Sequence, residues 1–297
     1  MTPILLDTDI GSDIDDAVAL AYLLRQPLCE MVGITTVSGD TSKRAALAEI
    51  VCRAGGREDI PIHAGLSGPL LFGPGQPHVP QFAAVATMPH RTNYSNTAVD
   101  FLRKTIRERP GEITLLAVGP MTNLAVLFAS DPEIPALLKH IVLMCGAYTG
   151  RGGQGPGDRE WNALIDPVAT GIVYQAGVGK LLGVGLDVTV LCKLPVADCR
   201  ARFARAGGAL GMVGHLAEIW FQHASEITFH DPLAATLIFE PEICTYESGR
   251  VTVAVNPGPF EGLTRWQRAD SGGPHTIAAK VDPAHFFKHY FDIAGAA

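Results

Sequence analysis

The stretch from Ile4 to Leu20, ILLDTDIGSDIDDAVAL, constrains this chain more than any other. An apolar run from Ile4 to Leu6 drives into Asp7, Thr8 and Asp9, turns at Gly11 and continues through Asp13, Asp15 and Asp16. Ile14, Val18, Ala21 and Tyr22 then recur at the spacing of one helix face. The pattern predicts a strand, a tight turn and a helix, with five carboxylates inside ten residues. Acids so close repel one another, and each is costly to bury ionised without a partner. Such a group at the carboxyl end of a first strand suits a hard divalent cation. The simpler alternative makes Asp13 the helix cap and leaves the other acids to solvent and the helix dipole. An EF-hand does not fit, because Gly11, Ser12 and Val18 stand where that loop needs other groups.

The remaining chain repeats the strand–loop–helix alternation. Glu30 to Val37 is rich in β-branched residues and precedes a predicted helix reaching about Ala54. Ile113 to Val118, Ile141 to Met144 and Lys180 to Val184 read as further buried strands, with a short one at Pro61 to Gly65. Asn96 is placed to cap a helix ending before Pro110, and Asp166-Pro167 is a cap followed by proline at the first helical position. Leu194 to Phe229 reads as helical with a break near Gly207, and Pro283 to Phe291 as a last helix. Arg250 to Val255 and His275 to Val281 suggest an antiparallel addition near the C-terminus. The expected fold is therefore α/β: an open, mostly parallel sheet with helices on both faces, in a single domain over residues 1–297.

Two stretches resist regular structure. Residues 67–92 are rich in proline and glycine and predict a long functional or mobile loop. Gly146 to Gly157 holds six glycines and lacks the G-x-x-x-x-G-K-[ST] phosphate cradle, which favours a flap over a site. The net charge of −7, with no basic run, argues against nucleic acid as a partner. No apolar run approaches the ~20 residues of a membrane span. The six scattered cysteines include no C-x-x-C pair and read as reduced thiols, and the start lacks a signal-peptide pattern, so a cytoplasmic location is expected.

Beyond the opening acids, His230-Asp231-Pro232 places an imidazole and a carboxylate together at a helix start. Glu160 and Asn162 lie just past the glycine-rich stretch, as polar groups in an apolar return. Their plain alternative is loop solvation. The strand-borne D-x-D also admits a metal-dependent phosphohydrolase with Asp7 as nucleophile, although no lysine or second acidic pair stands where that chemistry needs them.

Four landmarks in order span most of the chain: DTD…DDAVAL from Asp7 to Leu20, VGPMTNLA from Val118 to Ala125, EWN at Glu160 to Asn162 with Asp166-Pro167, and HDP at His230 to Pro232. Together they resemble the inosine-uridine-preferring nucleoside hydrolase family. The resemblance implies that one Ca2+ is held by Asp9, Asp16, Asp231 and the Val118 carbonyl, and that the N-glycosidic bond of ribonucleosides is cleaved by a calcium-bound water. It makes Asp9 the general base and His230 the acid or relay for the leaving base. Asp15 and Asn162 would hold ribose hydroxyls and Glu160 the 5′-hydroxyl. A small-molecule nucleoside is the implied partner, in a homodimer or homotetramer.

Three departures mark this chain. Ser12, Asp13 and Ile14 lengthen the acidic turn by two residues, so Asp13 can replace Asp15 or Asp16. Asp40 stands where the family often has asparagine, and adds an acid near the sugar. Gln154 stands near a usual asparagine that meets the 5′-hydroxyl. The non-catalytic alternative is a calcium-dependent nucleoside or ribose binding protein.

Overall fold

The computed structural model describes residues 1–150, 159–269 and 272–295. Its strands are β1 (Thr2–Thr8), β2 (Cys29–Thr36), β3 (Ile62–Ala64), β4 (Thr114–Ala117), β5 (His140–Met144), β6 (Leu181–Val184), β7 (Lys193–Pro195), β8 (Glu226–Thr228), β9 (Cys244–Val253), β10 (Thr264–Arg268) and β11 (His275–Val281). Its helices are α1 (Asp15–Arg25), α2 (Thr41–Ala54), α3 (Ala98–Glu108), α4 (Thr122–Ser130), α5 (Ile134–Leu137), α6 (Trp161–Ile165), α7 (Pro167–Gln175), α8 (Leu186–Thr189), α9 (Val196–Ala206), α10 (Gly208–Trp220), α11 (His230–Thr236) and α12 (Pro283–Ala294).

Among the described residues, nine strands form one sheet in the order β10-β9-β11-β6-β5-β4-β1-β2-β3. The run from β11 through β6, β5, β4, β1 and β2 to β3 is parallel, while β9 pairs antiparallel with both β11 and β10. Side chains alternate across the pleat as a strand requires. Ile4, Leu6, Leu116, Val142 and Met144 join one core layer, whereas Leu5, Leu115, Ala117, Ile141 and Leu143 join the other. Helices α1, α2, α10, α11 and α12 contribute to the first layer, and α3, α4 and α7 to the second. Both faces of the sheet are thus covered, which explains why its central strands read as continuous apolar runs.

The chain leaves β1 toward β2 on one side, yet β4 pairs with β1 on the other. Strand order therefore reverses between β1 and β4, and a crevice opens at their carboxyl ends. Gly119 just past β4 permits this approach, because a Cβ there would lie 2.8 Å from the Asp9 amide nitrogen.

Several local expectations change. Ile14, with no side-chain cap bond, occupies the α1 cap position instead of Asp13, and Thr97 occupies that of α3 instead of Asn96. Leu194 to Phe229 is not helical throughout: its ends pair as β7 and β8, a separate antiparallel ribbon. β9 begins at Cys244, earlier than expected, and β10 intervenes before β11. The stretch 67–92 carries a short 3-10 helix at Pro80–Ala84. Asp166 does cap α7, accepting from the Ala169 amide at 3.0 Å.

Candidate active site

Three acids converge at the crevice. Asp15 and Asp16 open α1, and Asp231 lies in the first turn of α11, which packs on α1. One carboxylate oxygen from each lies within 4.8 Å of the others, and all three residues are buried. The Asp231 amide donates to Asp15 Oδ2 at 3.1 Å, and the Thr8 hydroxyl donates to Asp16. Asp9, Asp13 and Val118 line the same cavity of about 670 Å³. Burial lifts the Asp15, Asp16 and Asp231 carboxyls well above the usual range, and their mutual negative charges lift them further. Burial also raises Asp9, against the lowering influence of the Arg44 guanidinium.

Carboxylates held this close are stable together as anions only around a cation. The donors are all hard oxygens, which fits a hard, oxygen-seeking metal ion. The set that meets most closely contains Asp15, assigned above to ribose, beside the expected ligands Asp16 and Asp231. Asp9 faces the same cavity without belonging to that closest set. The Val118 carbonyl accepts from Asn162 Nδ2 at 2.7 Å.

The longer turn leaves the acid pair in place. Ile14 is fully buried and anchors it, while Asp13 is half-buried at the cavity wall and accepts from the Ile14 amide at 2.6 Å. Burial and the nearby Asp9 push the Asp13 carboxyl up to about 6. Asp13 thus replaces neither Asp15 nor Asp16 in the converging set.

Opposite the acids stand Glu160 and Asn162, both buried. Glu160 caps α6 and accepts three backbone amides: Gly146 at 3.0 Å, Asn162 at 2.7 Å and Ala163 at 3.0 Å. Burial still raises its carboxyl above the ordinary value. Asn162 donates its amide nitrogen to the carbonyls of Val118 and Met144, which ties the ends of β4 and β5 together. Its amide oxygen remains to accept from a ligand.

His230 also lines the cavity, and its Nδ1 lies 2.7 Å from the Thr189 hydroxyl. Burial lowers its imidazole to about 4, so it is neutral at pH 7. Of the two roles the resemblance implies, that favours the relay over a charged acid.

Asp40 and Asp7 are engaged away from the converging acids. Asp40 caps α2 through the Lys43 amide at 3.1 Å and pairs with Lys43 Nζ at 2.9 Å. It is not among the residues that line the cavity. Asp7 is fully buried behind the crevice, bonded to Thr35 at 2.5 Å and Asn123 at 2.7 Å, which leaves no access for a phosphoryl group. Gln154 lies outside the described residues.

The cavity lining also includes residues that the sequence did not single out: Trp220, Leu186, Met144 and Arg159. Trp161 is half exposed there, and its indole N–H donates to Gln76 Oε1 at 2.8 Å. Phe229 is fully buried against Phe286, Phe287 and Tyr290. Nothing local in the sequence distinguished Trp220, whose helix approaches the site only through tertiary packing.

The pattern of the inosine-uridine preferring nucleoside hydrolase family matches residues 4–288. The chain belongs to this family. It is 28% identical to uridine nucleosidase 1 of Arabidopsis thaliana over 94% of its own length and 89% of that protein's. It is 31% identical to a pyrimidine-specific ribonucleoside hydrolase of Salmonella paratyphi C, over 88% and 87%. Its fold superposes on a plant nucleoside hydrolase with a TM-score of 0.86 and 25% identity, covering 100% of this chain and 99% of that one. A purine-preferring ribonucleoside hydrolase from Gardnerella vaginalis shares the fold, with a TM-score of 0.84 at 24% identity over 99% and 98% of the two chains. Family membership makes the protein a nucleoside hydrolase, an enzyme of the N-glycosyl hydrolase class. No helix among the described residues is long and apolar enough to cross a membrane.

Proposed function

We propose that this enzyme cleaves the N-glycosidic bond of ribonucleosides at the acid-lined end of the cavity, with Ca2+ as its resident metal. The observation that carries the reading is the meeting of Asp15, Asp16 and Asp231 in one cavity with Glu160, Asn162 and His230. Asp9, Asp16, Asp231 and the Val118 carbonyl would hold the ion, with Asp15 close enough to share it or to accept a ribose hydroxyl. When bound, calcium supplies Lewis acidity toward water and an anchor for sugar hydroxyls.

The chain's own groups then divide the work. Asp9 takes a proton from the water that attacks C1′, the C1′–N bond breaks, and the base leaves with a proton or hydrogen bond from the His230 side. The carboxylates stabilise positive charge as it builds on the sugar ring. Glu160 and Asn162 orient the ribose. Because His230 is neutral, it serves better as a hydrogen-bond donor or relay than as a charged acid.

The relatives named for uridine and pyrimidine ribonucleosides make those substrates the first to examine, with inosine beside them. A cytoplasmic homodimer or homotetramer is the proposed working form. Incubating the purified protein with calcium and a panel of nucleosides, and assaying free ribose, tests the reading. Ribose from at least one nucleoside is expected. None from any, with calcium shown to be bound, would favour a nucleoside-binding protein instead.

A further inference from the structure

Arg44 is the largest fully buried side chain among the described residues, and it stands directly behind the acidic turn. It enters from the first turns of α2. Its Nε donates to the Ser38 carbonyl at 2.7 Å. Its Nη1 donates to the carbonyls of Asp9 and of Ile10, the latter at 3.1 Å, and to Ser12 Oγ at 3.1 Å. Its Nη2 donates to the Gln76 carbonyl at 3.2 Å. Three chain segments that never pair in the sheet are thereby fastened to one planar group: the acidic turn, the loop after β2 and the cavity wall at Gln76.

The surroundings are shaped for this. Ser38 adopts a left-handed φ of 70°, unusual for serine, and its carbonyl meets Nε. Gly39 lies so near the Gln76 carbonyl that a Cβ would come within 2.0 Å of it. A buried guanidinium needs countercharge, and Asp9, Asp16 and Asp40 are the acids that offset its burial.

We propose that Arg44 is a positioning residue for the metal site: it fixes the backbone that aims Asp9 and binds the Gln76 wall to the acidic turn. This rests on the metal reading above. Lysine keeps the charge but offers a compact ammonium in place of a five-donor planar fork. Charge alone therefore does not restore the function.

The test compares wild type, Arg44→Lys and Arg44→Met as full chains. Calcium affinity is measured by calorimetry, and amide exchange is followed in peptides covering 9–14 and 74–82. Supporting groups behind metal ligands change affinity by roughly 10–100-fold when lost. The lysine variant is expected to fold, to bind calcium at least about tenfold more weakly, and to exchange faster in both peptides. Arg44→Met is expected to do the same more severely. If it does not fold, the lysine variant decides. A folded Arg44→Lys with wild-type affinity, or with unchanged exchange in either peptide, overturns the proposal. If wild type itself binds no calcium, the metal reading fails separately, and the exchange data alone judge Arg44.

Discussion

The floor and the rim of the cavity are built differently. The floor comes from strand ends and helix starts: Asp9 after β1, Val118 after β4, Asp15 and Asp16 opening α1, and Asp231 opening α11. These groups sit on elements whose backbone is fixed by the sheet and by close glycine contact at Gly119. The rim comes from side chains of scattered origin, including His78, Trp161, Trp220 and Leu186. Rigid placement suits chemistry that needs charges held still, whereas a rim of aromatic and loop residues suits recognition of a base. On the proposed reading, turnover belongs to the floor and selectivity to the rim.

The strongest way to break this division is to damage the floor. Asp16→Ala removes one of three converging carboxylates, and we expect a fall of at least about 1000-fold in kcat/KM together with loss of tight calcium binding. Asp9→Asn tests the base. It should lower kcat by roughly 100–10,000-fold, the usual worth of a positioned proton acceptor, in assays at saturating calcium. Either variant retaining full turnover would refute the assignment.

His230 lies between floor and rim. His230→Ala is expected to keep calcium affinity and to slow nucleosides with poor leaving bases by about 10–100-fold, with less effect on activated substrates. Equal slowing of both substrate classes would contradict the relay role. Rim changes should be smaller. Trp220→Ala should raise KM by roughly 2–12-fold through lost aromatic contact, and unequally for uridine and inosine, while kcat for the better substrate stays within about twofold. A comparable loss of kcat for both would move Trp220 to the floor.

Stability against pH gives a further separation. In calcium-free protein, Asp7 is raised to about 7 and Asp13 to about 6, from an ordinary 3.8. On these two carboxyls the folded state holds protons that the unfolded chain has already released, so their contribution to calcium-free stability falls as pH rises from about 4 to 7. His230 and His140, each lowered to about 4 from 6.5, act in the opposite sense, as do His63, His275 and His289, whose imidazoles burial also lowers. Calcium needs the ionised acids, so the rise in Tm it produces should grow over the same range. Thermal melts with calcium and with chelator, at several pH values, check the sign.

The floor was also what the sequence displayed most clearly. An apolar strand ending in D-x-D, a glycine turn and a helix opening on Asp15-Asp16 are consecutive residues, so their local period places them. The return of Asp231 required a second landmark, HDP, because its partners lie over 200 positions earlier. The rim was only partly legible: the loop 67–92, which supplies Gln76 and His78, stood out by composition, but the rest did not. Trp220 reaches the cavity by helix packing, and Arg44 appears in sequence as one more charge in an amphipathic helix. The strands β7 and β8 have three residues each, too few for a period of two to register. β10, TRWQR, exposes polar residues at the sheet edge and lacks the apolar run of a buried strand. Asp40 was ambiguous because a helix cap and a sugar contact use the same residue type after the same glycine turn.

The most direct test of the central claim is a calorimetric titration of calcium into chelator-stripped protein, wild type beside Asp16→Asn, at pH 7. The account predicts one site per chain in the wild type and at least about tenfold weaker binding in the variant. No binding by the wild type, or equal binding by both proteins, would contradict it.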